Sequence, residues 1–112
     1  MGELQWRPLT AVEGLELLGG AGRFRLVERA PSGLAYLIHY PAGVSSPVHR
    51  HDHDSIVYLL SGHLRGTLDG VPVELRQGES VLHPLGVVHS VEAVEDSTWI
   101  EFKSPLPRRP PI

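Results

Sequence analysis

The residues with the greatest chemical potential crowd into one short stretch, His49-Arg50-His51-Asp52-His53-Asp54. In an extended chain, side chains at i and i+2 point to one face with their Cα atoms ~6.5 Å apart. His49 and His51 therefore aim together, and two imidazoles can close on one cation. Two ligands do not make a site, since a metal in protein needs at least three. His89 is the third candidate. It follows the turn Pro84-Leu85-Gly86, and the intervening chain reads as hairpin-type segments that a sheet could fold back alongside. The competing reading is bland, because a His-rich polar tract on its own is a compositional hint and is more often solvated surface.

The elements that must position these residues read as short strands. Twelve glycines and ten prolines punctuate the chain, and between them lie RFRLVERA, LAYLIHY, SIVYLLSG, HLRGTLDG, VPVELRQG, SVLHP, VVHSVEAV and STWIEF. Turn signals at this spacing predict an all-β sandwich or barrel. Asp69-Gly70 is the clearest two-residue hairpin, because a type I′ turn needs positive φ at both residues. Ile56 to Leu60 is apolar on both faces, so such a strand should be covered inside by its own barrel and outside by a second sheet or subunit. Near the N-terminus, Thr10 to Glu13 could open a helix as a capping box. Gly14 and Gly19-Gly20 close round LELL, which favours another strand. The tail Ser104 to Ile112 is too rich in proline to pair in a sheet and should run extended.

Composition narrows the function classes. A chain of 112 residues with 41% apolar and 21% charged residues suits one globular domain, 1–112. A formal charge of −3 gives no reason to expect nucleic acid or an anionic membrane as partner. No apolar run approaches the ~20 residues of a membrane span. MGELQWRPL lacks the basic start and apolar stretch of a signal peptide, so the cytoplasm is the expected location. Cysteine is absent, which leaves imidazole and oxygen as the only ligand types.

Two motifs carry a family resemblance. Gly43-VSSPV-His49-Arg50-His51 followed by Gly62, and Gly78-ESVLH-Pro84-Leu85-Gly86-VV-His89, resemble the first and second motifs of the cupins and together lie within residues 43–93. The resemblance implies a small jelly-roll (double-stranded β-helix, RmlC-like) barrel. It also implies one divalent transition metal held by His49, His51 and His89, and a homodimer joined through the N-terminal strands within 1–33. Ligand type favours iron, zinc, nickel or copper over magnesium or calcium, and manganese joins them in the uronate-converting branch.

The sequence departs from the family where the fourth ligand belongs. Cupins supply Glu or Gln after the HxH pair, and this chain has Ser55; the Asn that ends the second motif reads Ala93. His53 shares a face with His51 and Ser55 by period-2 counting, so His53 or Ser55 could complete the site or orient a water. Asp52 and Asp54 fall on the other face, solvated or bonded to ligand N–H groups. Three neutral imidazoles leave the full +2 charge on a metal, which suits a small oxygen-rich anion as substrate.

Other residues bear on mechanism. His83 could line the pocket as a proton shuttle or be an ordinary rim histidine. His63 should face outward, and His39 is ambiguous. Trp99, Phe102, Tyr36, Tyr40 and Tyr58 read as core or pocket wall. VHSVEAVEDSTWIEFKSP is similar to the last strands of ketouronate-converting cupins, which places Glu101 as an acidic group beside the metal; a charge on the outward face of a terminal strand is the equal alternative. Lys103 stands where that branch has an aromatic, and Arg108 or Arg109 fits its guanidinium only with shifted spacing. The expected function is an enzyme with a three-histidine, dioxygenase-like centre. The alternatives are a ketouronate-converting isomerase and a non-catalytic metal- or ligand-binding sensor.

Overall fold

The computed structural model describes residues 5–108, and among them every regular element is a strand. In chain order these are β1 (Arg7–Leu9), β2 (Ala11–Val12), β3 (Leu15–Glu16), β4 (Gly22–Ala30), β5 (Gly33–Tyr40), β6 (Ser45–His49), β7 (Asp54–Ser61), β8 (His63–Leu68), β9 (Val71–Arg76), β10 (Ser80–His83), β11 (His89–Ala93) and β12 (Ser97–Ser104). They make a six-stranded sheet in the order β1-β4-β5-β12-β7-β10, a four-stranded sheet in the order β6-β11-β8-β9, and the hairpin β2-β3. All pairings are antiparallel. One core joins the two large sheets, with Phe24, Tyr36, Ile38, Tyr40, Val57, Leu59 and Trp99 from the first packed on Val44, Leu64, Leu75 and Ala93 from the second side. The architecture is an all-β jelly-roll barrel.

Alternation sets the inner face. Along β7, Ser55, Val57 and Leu59 are buried while Ile56, Tyr58 and Leu60 are exposed, the period of two that a half-covered strand imposes. On β12, Ser97, Trp99, Glu101 and Lys103 turn inward. Trp99, Tyr36 and Tyr40 accordingly join the core, but Phe102 and Tyr58 do not. Both face outward at 46% and 42% exposure, among apolar neighbours on the outer face of the sheet. The outer row Ile56, Tyr58, Leu60, Leu82 and Phe102 is open in the single chain.

Two type I′ turns close hairpins. Asp69 and Gly70 have φ of 51° and 78° between β8 and β9, with Leu68 opposite Val71, in agreement with the DG signal. Glu13 and Gly14 repeat those angles, 51° and 78°, between β2 and β3, with Val12 opposite Leu15. The chain therefore reverses at Glu13, and the capping-box helix over Thr10–Glu13 does not form. Of the tail, Ser104 still belongs to β12 and residues 105–108 have no regular structure. Arg109 lies outside the described residues.

Candidate metal centre

Three histidines converge through three separate devices. The first is a bulge in β6. Two steps along β11, from His89 to Val91, are matched by three along β6, from His49 back to Ser46. The extra residue falls at Pro47-Val48, where a proline's missing N–H is tolerated because the ladder is already broken. The bulge throws Val48 outward, 58% exposed, and buries His49. The second device is register, since His89 lies directly opposite His49 on the neighbouring strand. Facing pairs bring Cβ atoms to about 5 Å, and the two rings stand 4.3 Å apart.

The third device holds His51, which lies beyond the end of β6 in the connection to β7. The alternation continues there without hydrogen-bonded pairing: His49, His51, His53 and Ser55 are buried and the residues between them are exposed. The connection is pinned to the turn that precedes His89. Gly86 N–H donates to the His51 carbonyl at 2.9 Å, and Leu85 N–H to Asp54 Oδ1 at 2.7 Å. The turn closes through Val87 N–H to Pro84 O, and its third residue, Gly86, has φ +77°, the position where a type II turn requires glycine. One ring nitrogen from each of His49, His51 and His89 lies within 4.8 Å of the others.

Hydrogen bonds decide which nitrogen that is. His49 Nδ1 donates to Pro47 O at 2.7 Å, His89 Nδ1 to Val87 O at 3.1 Å, and His51 Nδ1 to Glu13 Oε2 at 2.8 Å. All three acceptors are oxygens without a proton to give, so each ring is the Nδ1–H tautomer with its Nε2 lone pair free. Burial lowers the basicity of all three, His89 to about 3 and His49 and His51 in the same direction. Neutral imidazoles with converging Nε2 atoms and engaged Nδ1–H groups are the donor set a divalent transition metal takes.

The residues proposed around this triad are bonded elsewhere. His53 is fully buried and stacks on His51 with centroids 4.5 Å apart, yet both its nitrogens are used. Its Nε2 accepts from Lys103 Nζ at 3.0 Å and its Nδ1 donates to Asp52 Oδ1 at 2.9 Å. Ser55 sits between His83 and Lys103 on adjacent strands. Its hydroxyl donates to Glu101 Oε2 at 3.0 Å and accepts from Lys103 Nζ at 3.4 Å. Glu101 points inward, and its carboxylate is held at both ends: Oε1 by the Trp99 indole at 2.9 Å, Oε2 by Ser55 and by Lys103 Nζ at 2.8 Å. Burial alone would raise its pKa, but the Lys103 charge and these donors hold it far below the usual carboxylate range.

His83 is buried with its ring stacked on His89, centroids 3.9 Å apart. Burial, with neighbouring His49 and Lys103, pushes it down to about 4 against the pull of Glu101. His49, His83, His89 and Glu101 share a cavity of about 20 Å³ that Leu9 and Val12 close from the N-terminal side. The remaining candidates lie away from it. His39 bonds Thr98 Oγ1 at 2.8 Å, His63 lies beside Glu74 at 3.3 Å, and the largely exposed Arg108 pairs with Asp52 at 3.5 Å. Sequence reasoning missed Glu13, and it noted Lys103 only as a mismatch.

The sequence also matches the cupin domain model over residues 36–101. The chain belongs to the cupin family. It is similar to the dimethylsulfoniopropionate lyase DddQ of Ruegeria pomeroyi, 31% identical over 80 residues, which make up 70% of the cupin chain and 38% of that longer relative. In three dimensions it resembles KdgF from Halomonas sp., with a TM-score of 0.73, 28% identity and coverage of 80% and 81% of the two chains. An RmlC-like cupin from Shewanella frigidimarina matches at a TM-score of 0.73 and 26% identity, over 79% of each chain. It is thus a small cupin with a three-histidine cluster suited to a divalent metal.

Proposed function

We propose that this cupin is a metal-dependent enzyme acting on a small oxygen-rich anion, with His49, His51 and His89 as the protein ligands. The observation that carries the reading is the convergence of three imidazoles whose Nδ1 atoms are each tied to an oxygen. A divalent ion held there supplies Lewis acidity and, if iron, access to oxygen chemistry. The chain's own residues do the rest. His83, neutral at pH 7 because burial lowers it to about 4, can take a proton from a substrate at the triad. Glu101 stays ionised, held by three donors, and orients polar groups in the cavity. With no carboxylate among the ligands, three neutral imidazoles leave the metal's charge for an anionic substrate, which favours the oxygenase-like branch. The cavity admits about one water.

The inward position of Glu101 supports the second reading, an isomerase of ketouronate-converting type, because an acidic group there was the feature shared with that branch. The lyase named among the relatives extends the panel with another small carboxylate. The test is elemental analysis of protein purified without chelator or His-tag. Turnover is then assayed on β-dicarbonyls, thiols, linear ketouronates and dimethylsulfoniopropionate, with oxygen uptake recorded. Oxygen consumption supports the first branch and oxygen-free uronate conversion the second. Stoichiometric metal with no turnover identifies a sensor, and protein that binds no metal overturns the reading.

The outer face of the six-stranded sheet supports a homodimer. Ile56, Tyr58, Leu60, Leu82 and Phe102 lie between 42% and 47% exposed on neighbouring strands. A groove of about 570 Å³ on that face is lined by Leu34, Ala35, Ile56, Leu82 and Phe102. An apolar surface of this kind belongs against a partner; the Glu28–Ala30 end of β4 lines the same groove and brings part of residues 1–33 to it, while β1 lies at the opposite edge of the sheet.

A further inference from the structure

The Glu13 carboxylate is held in a backbone conformation that glutamate rarely takes. Among the described residues, two type I′ turns have the same first angle, φ 51°. At one the residue is Asp69, whose short polar side chain suits the left-handed region. At the other it is Glu13, which has no such local hydrogen bond to offer. A non-glycine residue held in that region points to a use for its side chain. That use is visible: Glu13 Oε2 lies 2.8 Å from His51 Nδ1, a contact spanning 38 residues of sequence.

We infer that Glu13 is a positioning residue for the metal centre, acting through His51. This rests on the proposed function, since it takes His51 as a ligand. His49 and His89 have their Nδ1–H groups fixed by carbonyls two residues earlier on their own chain segments. His51 has no such local acceptor and depends on an anion from another element. The carboxylate fixes its tautomer and aims Nε2, and as an anion it makes the ring a stronger donor than a carbonyl can. It also brings a negative charge to the outside of a ligand set that has none.

The hairpin that carries Glu13 is anchored independently of that contact. Val12 is 4% exposed in the core, Leu17 N–H donates to Thr10 O at 2.9 Å, and Leu18 pairs with Ser45 through bonds of 2.8 and 2.9 Å. The turn is therefore built without Glu13's carboxylate, which separates its role at the metal from any role in folding.

Glu13→Asn tests this, because asparagine suits the left-handed region but is one methylene too short to reach His51. Zn²⁺ and Co²⁺ affinities are measured by chelator competition on the full chain, with the Co²⁺ absorption spectrum and the thermal midpoint of the metal-free protein. The expected result is an affinity lower by about 10–100-fold, an altered Co²⁺ spectrum and a metal-free midpoint close to wild type, relief of the left-handed strain at residue 13 offsetting the hydrogen bond lost at His51. Glu13→Gln, which keeps an acceptor and loses the charge, should fall between. Wild-type affinity and spectrum in Glu13→Asn would overturn the inference while leaving the metal centre standing. A lowered metal-free midpoint with unchanged affinity would reassign Glu13 to the fold. Failure of the wild-type chain to bind either ion would remove the underlying reading instead.

Discussion

Replacing Lys103 by methionine is the sharpest perturbation of this interior. The lysine side chain is fully buried, and its three ammonium protons have three acceptors: Glu101 Oε2 at 2.8 Å, His53 Nε2 at 3.0 Å and Ser55 Oγ at 3.4 Å. Methionine fills similar volume without charge, so packing is nearly conserved and the loss is electrostatic. It leaves Glu101, 7% exposed, with the Trp99 and Ser55 donors but no counter-charge. Removing one partner of a buried pair costs about 3–5 kcal/mol, and about 3 kcal/mol lowers Tm by on the order of 15 °C in a domain this size. Denaturant and thermal unfolding of chelator-treated protein at pH 7 measure it. The double replacement Lys103→Met with Glu101→Leu removes both charges and should recover more than half of the loss. The pH dependence gives a second check. In the wild type Glu101's pKa is lowered, so its contribution is present above its unfolded value and fades as pH falls. In Lys103→Met the burial that opposes ionisation prevails, the pKa rises, and the deficit should narrow between about pH 7 and pH 5. A single variant as stable as wild type, or a double variant less stable than the single, would refute the account of Lys103 as Glu101's counter-charge.

Three further outcomes are expected. His49→Ala and His89→Ala should each reduce bound metal from one per chain to near zero by elemental analysis, whereas His53→Ala should keep the metal, because both its nitrogens are committed. It should instead lose about 1–3 kcal/mol from the partners left unpaired. Metal should persist to lower pH than an ordinary imidazole allows. With His89 lowered to about 3 by burial, protons compete only well below 6.5, so stepped dialysis should show retention at about pH 5 and loss near pH 4 and below. Release with a midpoint near 6 would contradict the burial argument. If the proposed homodimer forms, Phe102→Asp, at an exposed position, should convert it to a monomer in light scattering without changing the circular dichroism.

The triad was legible because ligand identity and spacing are properties of sequence: His49 and His51 at i and i+2, and His89 after a glycine turn. The strands were legible from punctuation and alternation. What alternation could not settle was the direction of β12, where Ile100 and Phe102 are as apolar as an inner face and Glu101 and Lys103 as polar as an outer one. The barrel inverts the expected pattern, with the charges inside as a mutual pair and Phe102 outside on the apolar face. Period-2 counting had no means of detecting a salt bridge between residues two apart on the buried side. Glu13 was hidden for another reason. Its role depends on where a hairpin lands, and the local signal, Glu-Gly between short apolar pairs, marks a turn but not the target of its side chain.

Ser55 now has a physical meaning beyond a missing ligand. A glutamate there would place a second carboxylate beside Glu101, and two buried anions would compete for the single ammonium of Lys103, the chain's one lysine. Like charges at that distance cannot both stay ionised. Serine avoids the conflict, and its hydroxyl serves both members of the pair. The interior then keeps its negative charge in two places away from the triad: Glu101, neutralised by Lys103, and Glu13, bonded to the outer nitrogen of His51. The two differ in consequence. Glu101's charge is cancelled within hydrogen-bond distance, so it scarcely offsets a cation at the triad. Among the described residues Glu13 is bonded to the neutral ligand ring and to no charged group, so it offsets that cation through the imidazole. A metal held this way has three neutral donors and one remote anion, and an incoming carboxylate or enolate meets more positive charge than it would beside a directly bound glutamate.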